Sequence, residues 1–270
     1  MIRLLFILLT TSVTFSLSAQ DEKLVIEGAI VIQDNDDPNP VAGTIRWTGI
    51  DFEGYDGTNW ISLTCCDSGL PIDCDGNIYQ TVQIGTQTWF AENLKATCYS
   101  DGTSIPFAST PDEWQSLTAI GPVAAFPNFD QSLVSTHGIM YNGKTIHASN
   151  GLNVCPSGYH VFTNNERIIL TNFLGPTSGG ELKTIGTIQA MTGNWETPNT
   201  GATNSAGFNG DPSYIINNSG VSILDPTKAQ WWYGADNSIN DIFFLLNNSS
   251  SQGNGGVPIT RGYPIRCVKD

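Results

Sequence analysis

Six cysteines, Cys65, Cys66, Cys74, Cys98, Cys155 and Cys267, are the most reactive side chains of the sequence. In an exported chain an even set of this kind reads first as a disulfide framework, whose connectivity spacing alone does not settle. Cys74 and Cys98 flank the first hairpin of the larger module and rank first as a pair. That pairing leaves Cys65 and Cys66 to form a vicinal bridge or to link subunits; the alternative is Cys65 or Cys66 joined to Cys98. Trp195, Trp231, Trp232 and Tyr233 form a second constellation, which could stack on the apolar face of a pyranose while Asn194, Asn199, Asn204 and Asn209 bond its hydroxyls. Against this, consecutive strand residues face opposite ways, so one of Trp231 and Trp232 belongs in the core, and large aromatics pack more often than they bind.

Metal and catalytic chemistry find less support. Asp73-Cys74-Asp75-Gly76-Asn77 opens like a calcium loop, but its glycine comes too early and no bidentate Glu follows, so it reads as a β-turn. Asp34 to Asp37 reads as a solvated loop. Calcium thus has no motif behind it, and no cofactor is expected. His137, His147 and His160 match no zinc spacing, and there is no Gly-x-Ser-x-Gly elbow. A glycosidase needs two carboxylates. Glu92, Glu113, Glu166, Glu181 and Glu196 are available, but Glu113 and Glu166 stand where capping boxes would occupy them. No enzyme is expected.

The elements that would position these residues are short. Residues 20–64 read as a small all-β unit: strands at Gly43–Trp47, Ile50–Tyr55 and Trp60–Leu63, with Asp56-Gly57-Thr58-Asn59 as a hairpin turn. Residues 65–72 read as a linker. From 73 onward, Ile78 to Ile84 alternates as a strand with Ile78, Val82 and Ile84 inward, and Thr88-Trp89-Phe90 begins the next. Thr110-Pro111-Asp112-Glu113 and Thr163-Asn164-Asn165-Glu166 start two short helices. The first would bury Trp114 and Leu117, the second a stripe of Ile169, Leu170, Phe173 and Leu174. Strands are expected at 230–233, 241–246 and 262–268. The polar stretch 193–226 reads as a long loop, which in a compact domain is functional or disordered.

Of 270 residues, 13% are charged, and the net charge is −14. That balance argues against nucleic acid and anionic membranes, both of which call for clustered cations. Arg3, the apolar run from Leu4 and Ser18-Ala19-Gln20 have the layout of an export signal over residues 1–19. The run is too broken for a span of ~20 apolar residues, so membrane insertion is not expected.

Several segments, in order, resemble the Fibrobacter succinogenes major paralogous domain: Asp75–Tyr79 with Val82–Trp89, Ala91–Lys95, Cys155–Val161, Gly201–Asn204 leading to Gly207-Phe208, Trp231-Trp232, and Ile265–Asp270. Tyr159 stands where the family usually has Trp, and Tyr233-Gly234 replace Ser-Ser after the tryptophans. The resemblance implies a C-type-lectin-like fold over residues 73–270, no enzymatic activity, and a Cys155–Cys267 bridge joining the middle of the module to its last strand. The calcium-dependent sugar tripeptides of C-type lectins are absent; Glu196-Thr197-Pro198-Asn199 is a loose echo with Thr197 inserted. The expected protein is therefore a β-rich α+β chain, secreted or at the cell surface (the periplasm being the other compartment considered). It is a non-catalytic binding or adhesion module for an extracellular glycan or protein. The alternative is a structural subunit of a surface appendage, forming homo-oligomers through residues 24–64.

Overall fold

A computed structural model describes residues 40–47, 52–62, 70–146, 151–234 and 241–270. The export-signal reading of 1–19, Asp34 to Asp37, Cys65, Cys66 and His147 lie outside the described residues. The chain divides into two compact units, Met1–Asp67 and Ser68–Asp270.

The first unit holds an antiparallel meander of β1 (Ile45–Trp47), β2 (Phe52–Tyr55) and β3 (Trp60–Ser62). Its second turn forms because Gly57 accepts a φ of +103° while the Asp56 carboxylate takes the N–H groups of Thr58 (2.6 Å) and Asn59 (2.7 Å). Alternation places Trp47 and Phe52 on one face, ring centres 4.7 Å apart. On the other, Arg46 pairs with Glu53 and lies 4.0 Å over the Trp60 ring.

The second unit is a β-rich α+β module. One sheet runs in the order β4 (Thr81–Ile84), β5 (Gln87–Phe90), β16 (Cys267–Lys269), β9 (Tyr159–Val161). Another runs β11 (Ser222–Leu224), β10 (Tyr214–Ile216), β15 (Gly262–Tyr263), β8 (Met140–Asn142), β7 (Ala124–Ala125), β6 (Phe107–Ala108). A third holds β12 (Lys228–Tyr233), β13 (Asp241–Leu246) and β14 (Gln252–Gly256). Among the described residues there are five α-helices, not two, besides two short 3-10 turns: α1 (Pro111–Ile120) and α4 (Asn164–Leu174), joined by the short α2 (Val134–His137), α3 (Gly143–Ile146) and α5 (Ser178–Leu182).

Several sequence expectations need correction. The strand at 262–268 is two strands in different sheets, because Pro264 has no N–H for a ladder; its carbonyl instead accepts from Trp232 N–H at 3.1 Å. The stretch 193–226 is not one loop, since β10 and β11 form a hairpin within it over the turn Asn217–Gly220. Ile78 stands before β4 and is exposed rather than inward. The α4 stripe is half realised: Leu170 is buried, while Ile169 and Phe173 are exposed. The Thr163–Glu166 capping box forms completely. At α1, Thr110 caps Glu113 N–H, but the Glu113 carboxylate takes the N–H of Ser109 at 2.7 Å.

Cys155 and Cys267 form a disulfide between the segment leading into β9 and the neighbouring β16, with Cα atoms 6.0 Å apart. Cys74 pairs with Cys98, also at 6.0 Å. Asp73 in that region accepts the N–H groups of Asp75 (3.0 Å) and Asn77 (2.9 Å) and the Tyr79 hydroxyl, so its carboxylate is spent on the turn.

The sheets meet through aromatic residues. Trp231 packs into a core with Trp89, Phe208, Trp195 and Phe243, while Trp232 packs into another with Tyr141, Tyr263 and Ile265. β12 thus runs between two cores, which is why adjacent tryptophans are both 0% exposed.

Candidate functional site

Trp195, Trp231, Trp232 and Tyr233 are all buried, and each finds a polar partner inside. Trp195 Nε1 donates to Thr184 Oγ1 at 3.0 Å, Trp231 Nε1 to Asn93 Oδ1 at 2.7 Å, and Trp232 Nε1 to the Tyr141 carbonyl at 2.7 Å. The Tyr233 hydroxyl donates to Asp241 at 2.8 Å. Stacking on a sugar requires a ring face open to solvent, and these four offer none; the packing alternative holds. Asn199 is buried too, its amide donating to the carbonyls of Thr184 and Gly186. Asn204 pairs with Asn209 in a polar turn, with Nδ2 to Oδ1 at 2.7 Å. They do not gather into one aromatic platform.

A different set of residues does converge. Arg266, between β15 and β16, is 2% exposed, and among the described residues no carboxylate lies within salt-bridge distance of it. Its Nε donates to Asn93 Oδ1 at 2.7 Å, Nη1 to the carbonyls of Phe90 (3.1 Å) and Phe208 (2.5 Å), and Nη2 to that of Asn209 (3.1 Å). The plane lies 4.5 Å from the Phe208 ring centre. Asn93 completes the knot by donating to the His137 carbonyl at 2.8 Å. Four sequence segments, Ala91–Lys95, Gly207-Phe208, Trp231-Trp232 and Ile265–Asp270, therefore meet at one guanidinium. A buried cation persists when its N–H groups find acceptors, and here the Asn93 side chain and the backbone carbonyls of Phe90, at the end of β5, and of Phe208 and Asn209 supply four.

Above this knot opens a cleft of about 210 Å³, lined by Ala91, Glu92, Asn93, Thr136, His137, Thr184, Asn209, Asp211, Pro212 and Arg266. Glu92 and Asp211 contribute carboxylates. Glu92 pairs with Lys95, and Asp211 accepts from Thr184 Oγ1 (2.5 Å) and Asn194 Nδ2 (2.5 Å). Burial pulls the His137 imidazole below its ordinary pKa, outweighing the Asp211 charge, which raises it. The ring meets Tyr214 edge-on at 5.0 Å. The cleft thus presents oxygen acceptors, a neutral imidazole and the Thr136 hydroxyl, suited to hydrogen-bonding a polar group.

Sequence reasoning missed Arg266 as a centre. Its signal was there: a lone cation within Pro264-Ile265-Arg266-Cys267-Val268, in a chain with 11 basic residues, has apolar neighbours that imply burial. Lys183 was missed as well. It is 0% exposed and donates to the carbonyls of Thr200 (2.8 Å), Leu246 (2.9 Å) and Ser249 (2.9 Å), with burial lowering its pKa to about 8.

His160 forms a clasp at the other end of the four-stranded sheet. Nε2 lies 2.8 Å from Glu166 and Nδ1 2.6 Å from Asp270. The Glu166 hydrogen bond, then that of Asp270, raise the imidazole to about 9 against the opposing effect of burial. Because the folded-state pKa exceeds the unfolded value, this stabilisation is complete below about pH 6.5 and is lost as pH rises through about 9. With the side chain one-third exposed, roughly 1–2 kcal/mol is expected after screening. Urea unfolding at pH 6.5 and 9.5 should show that loss, and His160→Gln should flatten it. A pH difference unchanged in the variant would contradict the clasp.

The Fibrobacter succinogenes major domain matches residues 82–269 of the chain. No curated protein and no solved structure matches it. Among the described residues no helix is long and apolar enough to cross a membrane.

Proposed function

The chain belongs to the Fibrobacter succinogenes major domain family, and on that premise we propose that it is an exported, non-catalytic binding module of the cell surface. Its ligand site is the cleft over Arg266. The observation that carries this reading is the cost of the site: a guanidinium is buried and bonded to four oxygens directly beneath an open polar cavity. Such a knot holds Glu92, Asn93, Asn209 and Asp211 in fixed positions, the preorganisation a binding surface uses. Two disulfides support export, since bridges persist where thiols oxidise. We read the module as C-type-lectin-like, supported by the bridge that ties its last strand to its middle and by the sparsely structured polar stretch beside the cleft.

The glycan reading now rests on hydrogen bonds to Glu92, Asp211 and Thr136 rather than on ring stacking. A glycan array and a pull-down from envelope extracts, each run with wild type and Asp211→Asn, test it. Binding is expected in one assay and its loss in the variant. Silence in both with folded protein would overturn the proposal.

One observation favours a structural role for the first unit. Trp47, Phe52, Tyr55 and Trp60 are all half-buried in a sheet of three very short strands, which is marginal alone. If it assembles a fibre, light scattering should give a trimer or larger, and deletion of 21–64 should give monomers.

A further inference from the structure

We infer that the outer edge of β14 is an interface at which two copies of this chain pair antiparallel about a two-fold axis. In the sheet β12–β13–β14 the two outer strands differ. On the β12 side, Trp232 N–H bonds to the Pro264 carbonyl at 3.1 Å and Gly234 N–H to that of Phe162 at 2.7 Å. On the β14 side, among the described residues, no backbone hydrogen bond runs outward from Gln252–Gly256. Alternate residues of an outer strand turn their N–H and C=O groups away from the sheet, so β14 presents a row of unpaired groups. Asn254 and Gly256 are exposed, and Gln252, Gly253 and Gly255 are partly so.

The strand reads Gln-Gly-Asn-Gly-Gly, and packing within the chain accounts for one of its three glycines. A Cβ on Gly253 would lie 2.3 Å from the Phe244 ring. A Cβ on Gly255 would meet only that ring, at 4.0 Å, and one on Gly256 only Asp241 Oδ1, at 3.5 Å, both ordinary contacts. None of the three has a positive φ. Glycine weakens a strand, and where neither conformation nor internal packing calls for it, it marks the close approach of another backbone. The usual guards of an open edge are missing as well: β14 holds no lysine, no proline and no charge.

The occupant is a second copy because the segment is neutral and its register closes on itself. Residues 242–260 carry no charged side chain in a chain of net charge −14. Two acidic chains can therefore meet along this segment without setting like charges against each other. An antiparallel pair centred on Asn254 places Gln252 opposite Gly256, Gly253 opposite Gly255, and Asn254 opposite its own copy. Within one chain Phe244 pairs with Gly253 and Ile242 with Gly255, so these four share a face. In the pair that face carries a strip of glycines flanked by two half-buried Phe244 rings. A side chain at 255 would stand against the ring that covers Gly253 in the other copy. The result is a six-stranded sheet with the isologous symmetry most common in dimers.

Sedimentation velocity of the folded chain over a concentration series tests this. The mass should rise from one chain to two and stop there, and the dimer should tighten with salt, which screens the net charge. Asn254→Lys and Asn254→Glu, each alone, should weaken the dimer about tenfold or more, because each sets like charges together on the axis. An equal mixture of the two should restore it. Gly255→Val should weaken it similarly without lowering the thermal midpoint of the monomer. A chain that stays monomeric throughout overturns the proposal, as does a dimer that the Asn254 and Gly255 variants leave intact. Association that survives those variants and disappears on deletion of 21–64 belongs to the first unit and also overturns it.

Discussion

Replacing Cys155 and Cys267 together by alanine is expected to cost about 4–5 kcal/mol of unfolding free energy, because the bridge closes a loop of 112 residues in the unfolded chain. For a domain of ordinary stability, ~5–15 kcal/mol, that is a third or more of the total. At about 2–4 °C per kcal/mol for a domain of this size, the midpoint should fall by ~10–15 °C. Both sulfurs are buried in the core, so the alanine pair also leaves a small void beside Tyr159 and Val161. The Cys74–Cys98 bridge spans 24 residues and is expected to contribute about 3 kcal/mol by the same entropy argument. Urea unfolding followed by tryptophan fluorescence ranks the two double variants. Equal and negligible losses would mean that neither cystine restrains the chain.

The second large effect is expected at Arg266. Arg266→Met keeps much of the apolar stem but strands the carbonyls of Phe90, Phe208 and Asn209 and leaves Asn93 Oδ1 with the Trp231 indole alone. Unsatisfied buried acceptors cost ~1–3 kcal/mol each, so with three stranded carbonyls a loss of at least ~3 kcal/mol is expected. Arg266→Lys should recover little. A single ammonium cannot reach, from one point, acceptors set around a planar fork. Hydrogen exchange should show faster opening of residues 90–93 and 207–211 in Arg266→Lys while β13 stays protected. A lysine variant as stable as wild type would remove the guanidinium from its central place.

What the sequence made legible follows from local chemistry. The two capped helices were readable because Thr-x-x-Glu before an apolar run satisfies end groups within four residues. The strand at Asp241–Leu246 was readable from a run of Ile, Phe and Leu. The small meander was readable from Asp-Gly at its turn. Residues whose role depends on distant partners were not. Trp231 and Trp232 offered one core face by alternation, and only the packing of β12 between two sheets buries both. Pro264 should have signalled a break in the last strand, but which sheet each half joins is a tertiary matter. Arg266 and Lys183 bond to carbonyls from 17 to 176 residues away, and backbone acceptors leave no trace in side-chain spacing. The candidate site moved accordingly, from exposed aromatics to the cleft those buried aromatics support.

Family segments that meet at Arg266, and disulfides that hold their strands, build a frame whose open face is the cleft. The most direct test is hydrogen–deuterium exchange of the folded chain, alone and saturated with whichever ligand the array or pull-down yields. Protection should concentrate at the residues that line the cleft, 91–93, 136–137, 184 and 209–212. Protection confined to the first unit, or to α4 and its exposed Phe173, would place binding elsewhere and contradict the account.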